Sequence, residues 1–239
     1  MSNIFLVKNL YNYEKVIPPP VNLKTGMTTV YITDSDYNCE IAKSLGWDIV
    51  KKTDLFLNTV DKFKRRVHVG FINTFPHKIV PEILDFKLTF VCDSNIVSLF
   101  NGYNKFMDSC SEDNALFVTS GYYSGQRDNM IEECKASLYG RWSYNQEGIL
   151  KSTQDYIDIL NFKKINPLSL SVVSGKFLGW NFNHNKYEEL SNFLYKEYCR
   201  SLQGNIILTY MSGLFKESIY NHVEKDYSGI ILNPHNFVA

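Results

Sequence analysis

The sequence predicts an α/β fold with one largely parallel central sheet flanked by helices. Three observations carry that expectation. Short runs rich in β-branched and aromatic residues, clearest at Thr29–Thr33 and Lys87–Cys92, alternate with longer stretches whose apolar residues repeat at helical spacing. At 239 residues and 44% hydrophobic content the chain can enclose a sizeable core without a disulfide or a metal, as one large domain or two small ones. Ordinary apolar content with zero net charge rules out disorder as the main state.

The first strand is expected at Asn3–Lys8, and the stiff Pro18-Pro19-Pro20 triplet separates it from a second at Thr29–Thr33. The Asp34–Asn38 segment reads as a turn, followed by a helix at Glu40–Leu45 and a strand at Trp47–Val50. Lys64–Asn73 has helical character, and Pro76 and Pro81 punctuate the segment after it. Lys87–Cys92 and Ala115–Thr119 are strands. Arg127–Tyr139 is an amphipathic helix with Met130, Ile131, Cys134 and Leu138 on one side, and Gln146–Leu160 is a further helix. In the last third, Leu170–Val173 is expected as a strand, Lys186–Leu202 and Gly204–Tyr220 as helices, and Tyr227–Leu232 as a final strand. Ligands of such folds sit beyond the carboxyl ends of the strands, which directs attention to Asp34, Asp36, Asp93, Asn95, Ser120 and Gly121.

Composition narrows the function classes. With 25 basic and 25 acidic residues, no global field favours nucleic acid. Five widely spaced cysteines without a CxxC pair fit a reduced, cytoplasmic protein, and Cys92 and Cys134 read as buried hydrophobes. The opening segment lacks a basic lead-in and a cleavage-like site, and no stretch nears the roughly 18 apolar residues of a transmembrane helix. Phosphate-loop, GxGxxG, GxSxG and HExxH patterns are all missing from the sequence, which lowers the ATPase, dinucleotide oxidoreductase, serine hydrolase and zincin readings.

Several groups are candidates for chemistry. Asp93 and Asn95, two apart after a buried strand, suit an oxygen-ligand turn for Mg²⁺ or Mn²⁺; an Asx-type turn that merely ends the strand is the plain alternative. His235 is a further metal or phosphate ligand or a solvated terminal histidine, and His68 and His77 are possible pocket donors. Arg65, Arg66 and Lys78 offer cations for a diphosphate or are ordinary surface charge. Asp128, Glu132 and Glu133 stand at a helix start, where acids offset the macrodipole; the sharper alternative makes one of them a general base. Tyr122, Trp142 and Trp180 can stack on sugar faces or pack in the core.

The ordered set Tyr11-Asn12-Tyr13, Pro18–Pro20, Thr33-Asp34, Gly46-Trp47, Arg65 through Lys78, Asp93-Ser94-Asn95 and Arg127 through Glu133 resembles the GT-A glycosyltransferases, in particular a group of viral and cellular members that includes the domain thought to decorate the chlorella-virus capsid glycoprotein. That resemblance implies one GT-A domain over 1–239, with a nucleotide-binding half at about 1–125 and an acceptor half at about 126–239. It implies a glycosyltransferase that moves a sugar from a UDP-sugar donor to a glycan or glycoprotein acceptor with Mn²⁺ or Mg²⁺, in the host cytoplasm if viral. Thr33 and Asp34 would hold uracil or ribose, Asp93 and Asn95 the metal, with Ser94 in the same turn, His235 the metal or the diphosphate, Arg65 the diphosphate, and Lys78 the diphosphate or the sugar. Asp128, Glu132 or Glu133 would face the acceptor. Asn205 would contact the donor from a late helix in which related proteins often carry Asp-Gln and this chain reads Gly204-Asn205. The rival functions are a non-catalytic nucleotide-sugar or carbohydrate-binding module on the same fold, and a nucleotidyltransferase, against which the lack of glycine at Lys8–Tyr13 counts.

Overall fold

The computed structural model describes residues 4–9, 27–54, 62–93, 106–121, 127–139 and 145–224. Its strands are β1 (Ile4–Asn9), β2 (Thr28–Thr33), β3 (Ile49–Lys52), β4 (Thr89–Asp93), β5 (Leu116–Gly121), β6 (Val173–Trp180) and β7 (Ile219–Glu224). They form one sheet in the order β3-β2-β1-β4-β6-β5-β7. Neighbours pair in parallel except at β6, which runs antiparallel to both β4 and β5. The helices are α1 (Asp36–Ser44), α2 (Lys62–Thr74), α3 (Met130–Tyr139), α4 (Gln146–Phe162), α5 (Tyr187–Ser201) and α6 (Gly204–Leu214).

Period-2 alternation in the strands builds two cores. Val30, Ile32, Val91, Leu116, Val118 and Leu178 turn to one face, under Ile72 of α2, Met130 of α3, Leu160 of α4, Leu194 of α5 and Ile207 of α6. Tyr31, Phe90, Cys92, Phe117 and Phe177 turn to the other, against Ala42 of α1 and Trp47, Phe106 and Met107. Leucine, isoleucine and valine fill the thick helical side, and stacked aromatics fill the thin one; Phe90 and Phe177 lie with ring centroids 5.9 Å apart. The buried Cys92 and Cys134 are free thiols, as are the other three cysteines. No helix among the described residues is long and apolar enough to cross a membrane.

Most expected elements appear within a few residues of their expected ends, and three differ. Asp34–Asn38 does more than turn: Ser35 is an N-cap whose hydroxyl accepts from the Asn38 N–H, and α1 begins at Asp36. Turn residues and cap residues are the same residue types, so the segment reads either way. The strand expected at Leu170–Val173 instead starts at Val173 and runs to Trp180. Gly175 and Gly179 hide it in the sequence, yet Gly179 is what the sheet needs: a Cβ there would stand 2.9 Å from the Phe90 ring and 3.0 Å from Phe117. The helix expected through Tyr220 stops at Leu214, a turn closes with the Ser218 N–H on the Phe215 carbonyl, and β7 begins at Ile219. A continuous apolar run masks that switch from helical to strand period. The strand expected at Tyr227–Leu232 lies outside the described residues.

Candidate functional site

The strand register brings the carboxyl ends of six strands, all but β6, to one edge. Asn9 pairs with Thr33, and Lys8 with both Ile32 and Asp93. Ser120 pairs with Val173, where the antiparallel β6 begins, and Gly121 with Glu224. Neighbouring strands lie about 4.8 Å apart, so Thr33 and Asp93, on either side of β1, are about 10 Å apart along this edge. The chain proceeds from β1 to β2 and β3 on one side, then returns to β4 on the other side of β1. That reversal is a topological switch point, the place beside which open α/β sheets commonly take up ligands. The helices that follow β2 and β3 pack on opposite faces, α1 with the aromatic core and α2 with the aliphatic one.

Thr33 is fully buried; its hydroxyl accepts from the Ser35 N–H at 3.3 Å and its carbonyl from the Thr53 N–H at 2.9 Å. It therefore shapes the turn that presents Asp34, which is partly exposed just past β2. Asp93 is the last residue of β4, at the switch point. Ser94, Asn95 and His235 lie outside the described residues. Arg65 sits in the first turn of α2, the end away from Asn73 and Thr74.

Lys78 is not part of this edge. It closes a short 3-10 turn, Pro76–Lys78, beyond the C-terminus of α2. Its neighbour His77 meets the Tyr187 hydroxyl at 3.1 Å, and Tyr187 also donates to the Thr74 carbonyl. Trp180, paired with Thr89 at the start of β4, belongs to the same opposite edge; it is fully buried and gives its indole N–H to Asn73, so it has no face for a sugar. His68, half-buried on α2, has its pKa lowered, burial being the main cause. Tyr122 and Trp142 lie outside the described residues.

The acidic candidates separate sharply. Asn129 caps α3, its side-chain oxygen accepting from the Ile131 and Glu132 N–H groups. Asp128 is exposed. Glu132 is exposed and paired with Lys135 at 2.9 Å. Glu133, one residue on, is 7% exposed and points inward. Asn205 donates to it at 3.0 Å, and the Arg127 Nε lies 3.6 Å from its other oxygen. Burial pushes the Glu133 carboxyl above its ordinary pKa, while Asn205 and Arg127 pull it back.

Asn205 is presented by a tight connection. α5 ends in Leu202 with a left-handed backbone at φ 62°, and α6 starts two residues later. Gly204 permits this, since a Cβ there would run into the Tyr198 hydroxyl. The Asn205 oxygen takes the Gly175 N–H at 2.9 Å, so its NH₂ faces Glu133. One side chain thus ties the start of β6 to α3 and α6. Ser120 is 2% exposed at the end of β5, and its hydroxyl has no hydrogen-bond partner among the described residues. Sequence reasoning named Glu133 and Asn205 separately and missed their meeting; 72 residues separate them, and Gly175 carries no local mark.

For the expected metal, Asp93 is described by its backbone place alone, and its two partners lie outside the described residues. Among the described residues no three His, Cys, Asp or Glu groups come together as a metal site.

No protein-family model matches the sequence, and no curated protein sequence matches it. Solved structures do match. The bifunctional glycosyltransferase WbbM, apo, aligns at 10% identity and a TM-score of 0.51 over 92% of this chain, which spans 38% of that one. Mouse xyloside xylosyltransferase 1, apo, aligns at 11% identity and 0.49, over 94% of this chain and 85% of that one. The 4-diphosphocytidyl-2C-methyl-D-erythritol synthase of Anaerococcus prevotii aligns at 8% and 0.49, over 98% and 92%. The fold is thus the GT-A one, a mostly parallel central sheet between helices, as the sequence led us to expect.

Proposed function

We propose that the protein is a glycosyltransferase that binds a nucleotide-sugar donor, UDP-linked, in the crevice at the β1/β4 switch point. The observation that carries this reading is the position of Asp93, at the end of β4, where the strand order reverses and where open α/β sheets take up nucleotides. Asp34, two strands away, is spaced for the nucleoside while the Asp93 corner faces the diphosphate. Mn²⁺ or Mg²⁺ at that corner would neutralise the leaving diphosphate.

Under this reading the chain's own polar groups serve the sugar and the acceptor. Asn205 and Glu133, held together beside β6, supply a donor and an acceptor for hydroxyl groups at the edge. Arg127 adds a cation next to them. Glu133 is the acceptor-side carboxylate. Burial raises its basicity, which suits removal of a proton from the attacking hydroxyl. The acceptor is a glycan or a glycoprotein, with viral capsid glycoprotein the class that the sequence resemblance suggests.

The test is a panel of nucleotide sugars incubated with and without Mn²⁺, with release of free nucleotide as the readout. A UDP-sugar should turn over in a metal-dependent way, and Asp93→Ala should lose activity by roughly 100-fold or more while remaining folded. An unchanged rate in that variant removes Asp93 from the site. Preference for GDP or TDP sugars redirects the base pocket. Donor binding without turnover leaves only the binding-module reading.

A further inference from the structure

A cavity lies in the helical layer. It has a volume of about 330 Å³ and is bounded by α4, α5 and α6. Its floor is the Tyr156–Tyr210 pair, whose rings stack with centroids 4.3 Å apart. Phe193 forms an apolar wall. Glu197 is 7% exposed and accepts the Tyr156 hydroxyl, and Arg200 bridges Glu197, at 3.5 Å, and Asp155. Asp158 stands at the rim.

Tyr210 lines the cavity as a residue 2% exposed, and its hydroxyl makes no hydrogen bond to the described residues, so it is available to a ligand there. Burial and the nearby Glu197 both push its pKa up, so it is a neutral O–H able to donate and accept.

The lining selects a ligand class. Three carboxylates against one guanidinium give a net charge of −2 (3 minus 1), which opposes phosphates and nucleotide sugars. An ammonium ion would use the acceptors alone and leave the Tyr210 hydroxyl without an acceptor for its proton. Hydroxyl groups use both kinds, and an aromatic wall suits the apolar face of a sugar ring. We propose that the cavity between α4, α5 and α6 is a binding site for a neutral sugar unit of a glycan, with Tyr210, Asp158 and Arg200 contacting its hydroxyls and Phe193 its ring face. Tyr210 lies five residues beyond Asn205 on α6, about 7.5 Å along the helix, and Asp93, Glu133 and Asn205 are not among the residues that line the cavity. The site does not rest on the transferase reading, since a chain without turnover would still bind sugar here.

The experiment is saturation-transfer NMR and titration with methyl glycosides of glucose, galactose, mannose, xylose and N-acetylglucosamine, on the full chain. At least one should bind, with no help from UDP or Mn²⁺. Tyr210→Phe should weaken it about fivefold, the loss of one hydrogen bond, without lowering the melting temperature, because that hydroxyl holds nothing in the fold. Asp158→Ala, at an exposed position, should also weaken it. UDP binding should be unaffected by either. The site is refuted if no glycoside binds at tens of millimolar, if both variants bind as the parent does, if Tyr210→Phe lowers the melting temperature, or if ethanolamine binds in place of the sugars.

Discussion

At the amino edge of the sheet Trp180 gives its indole N–H to the Asn73 carbonyl at 2.7 Å, and Tyr187 bonds Thr74 and His77. Phe182 packs edge-on against both His77 and Tyr187. At the carboxyl edge the contacts are of another kind. Glu133 meets Asn205 and Arg127 through side chains, and the buried Ser120 hydroxyl has no hydrogen-bond partner among the described residues. One edge spends its polar atoms on main-chain carbonyls at the end of α2 and closes. The other holds Glu133, whose burial penalises its charge and whose partners are side chains, a cost that folded proteins tolerate mainly where a ligand or a reaction compensates; burial penalises the His77 charge as well, but there the ring nitrogen is taken up by Tyr187. Polar residue types alone do not distinguish these uses: His77 and Lys78 look as chemical in the sequence as Glu133 does.

The largest effect should come from breaking the closed edge. Trp180→Ala removes a fully buried indole and strands the Asn73 carbonyl, and it should cost about 3–5 kcal/mol in urea unfolding. Nucleotide binding by the fraction that remains folded should be unchanged. A cost under about 1 kcal/mol, well below that expected of a closed core site, would mean that the amino edge is not the structural end.

Glu133→Gln sharpens the other side of the comparison. Gln keeps an oxygen for Asn205 and removes the charge, so turnover should fall by roughly 100-fold, the scale of a lost general base, with little loss of stability. The pH dependence has a definite sign. Burial holds the folded-state pKa of Glu133 above 4.5, so between 4.5 and that raised value the folded chain binds a proton that the unfolded chain releases. Stability should fall as pH rises through that window, and Glu133→Gln should flatten the slope in denaturation curves measured across it. A slope that persists in the variant assigns the titration to another group.

The legible parts of the fold were those with strong local signals. Lys87–Cys92 and Lys186–Leu202 announce themselves by β-branched content and by 3.6-residue spacing, and β4 and α5 lie there. β6 escaped because the residue that makes it possible, Gly179, is chosen by the Phe90 and Phe117 rings on neighbouring strands, and nothing beside it in the chain says so. The site divides the same way. Asp93 and Asp34 were readable as acids past strand ends. The meeting of Glu133 with Asn205 depends on the left-handed Leu202 and on Gly204 under Tyr198, a geometry set by how α5 and α6 pack. Lys78 shows the converse: nearness in sequence to Arg65 and Arg66 said nothing about which edge it would reach.

The smallest expected effect separates two adjacent carboxylates. An α-helix turns about 100° per residue, so Glu132 and Glu133 cannot share a direction. Glu132 faces solvent and holds Lys135, an i,i+3 pair whose side chains are both about half exposed or more, in the class of surface pairs that contribute little. Glu132→Ala should leave the melting temperature and the turnover of a nucleotide sugar unchanged within error, and the pH slope attributed to Glu133 should remain. If Glu132→Ala instead abolished turnover while Glu133→Gln did not, the exposed carboxylate would be the one that reaches the acceptor, and the buried Glu133–Asn205 contact would be a tie between α3 and α6, of the same structural kind as Trp180 on Asn73.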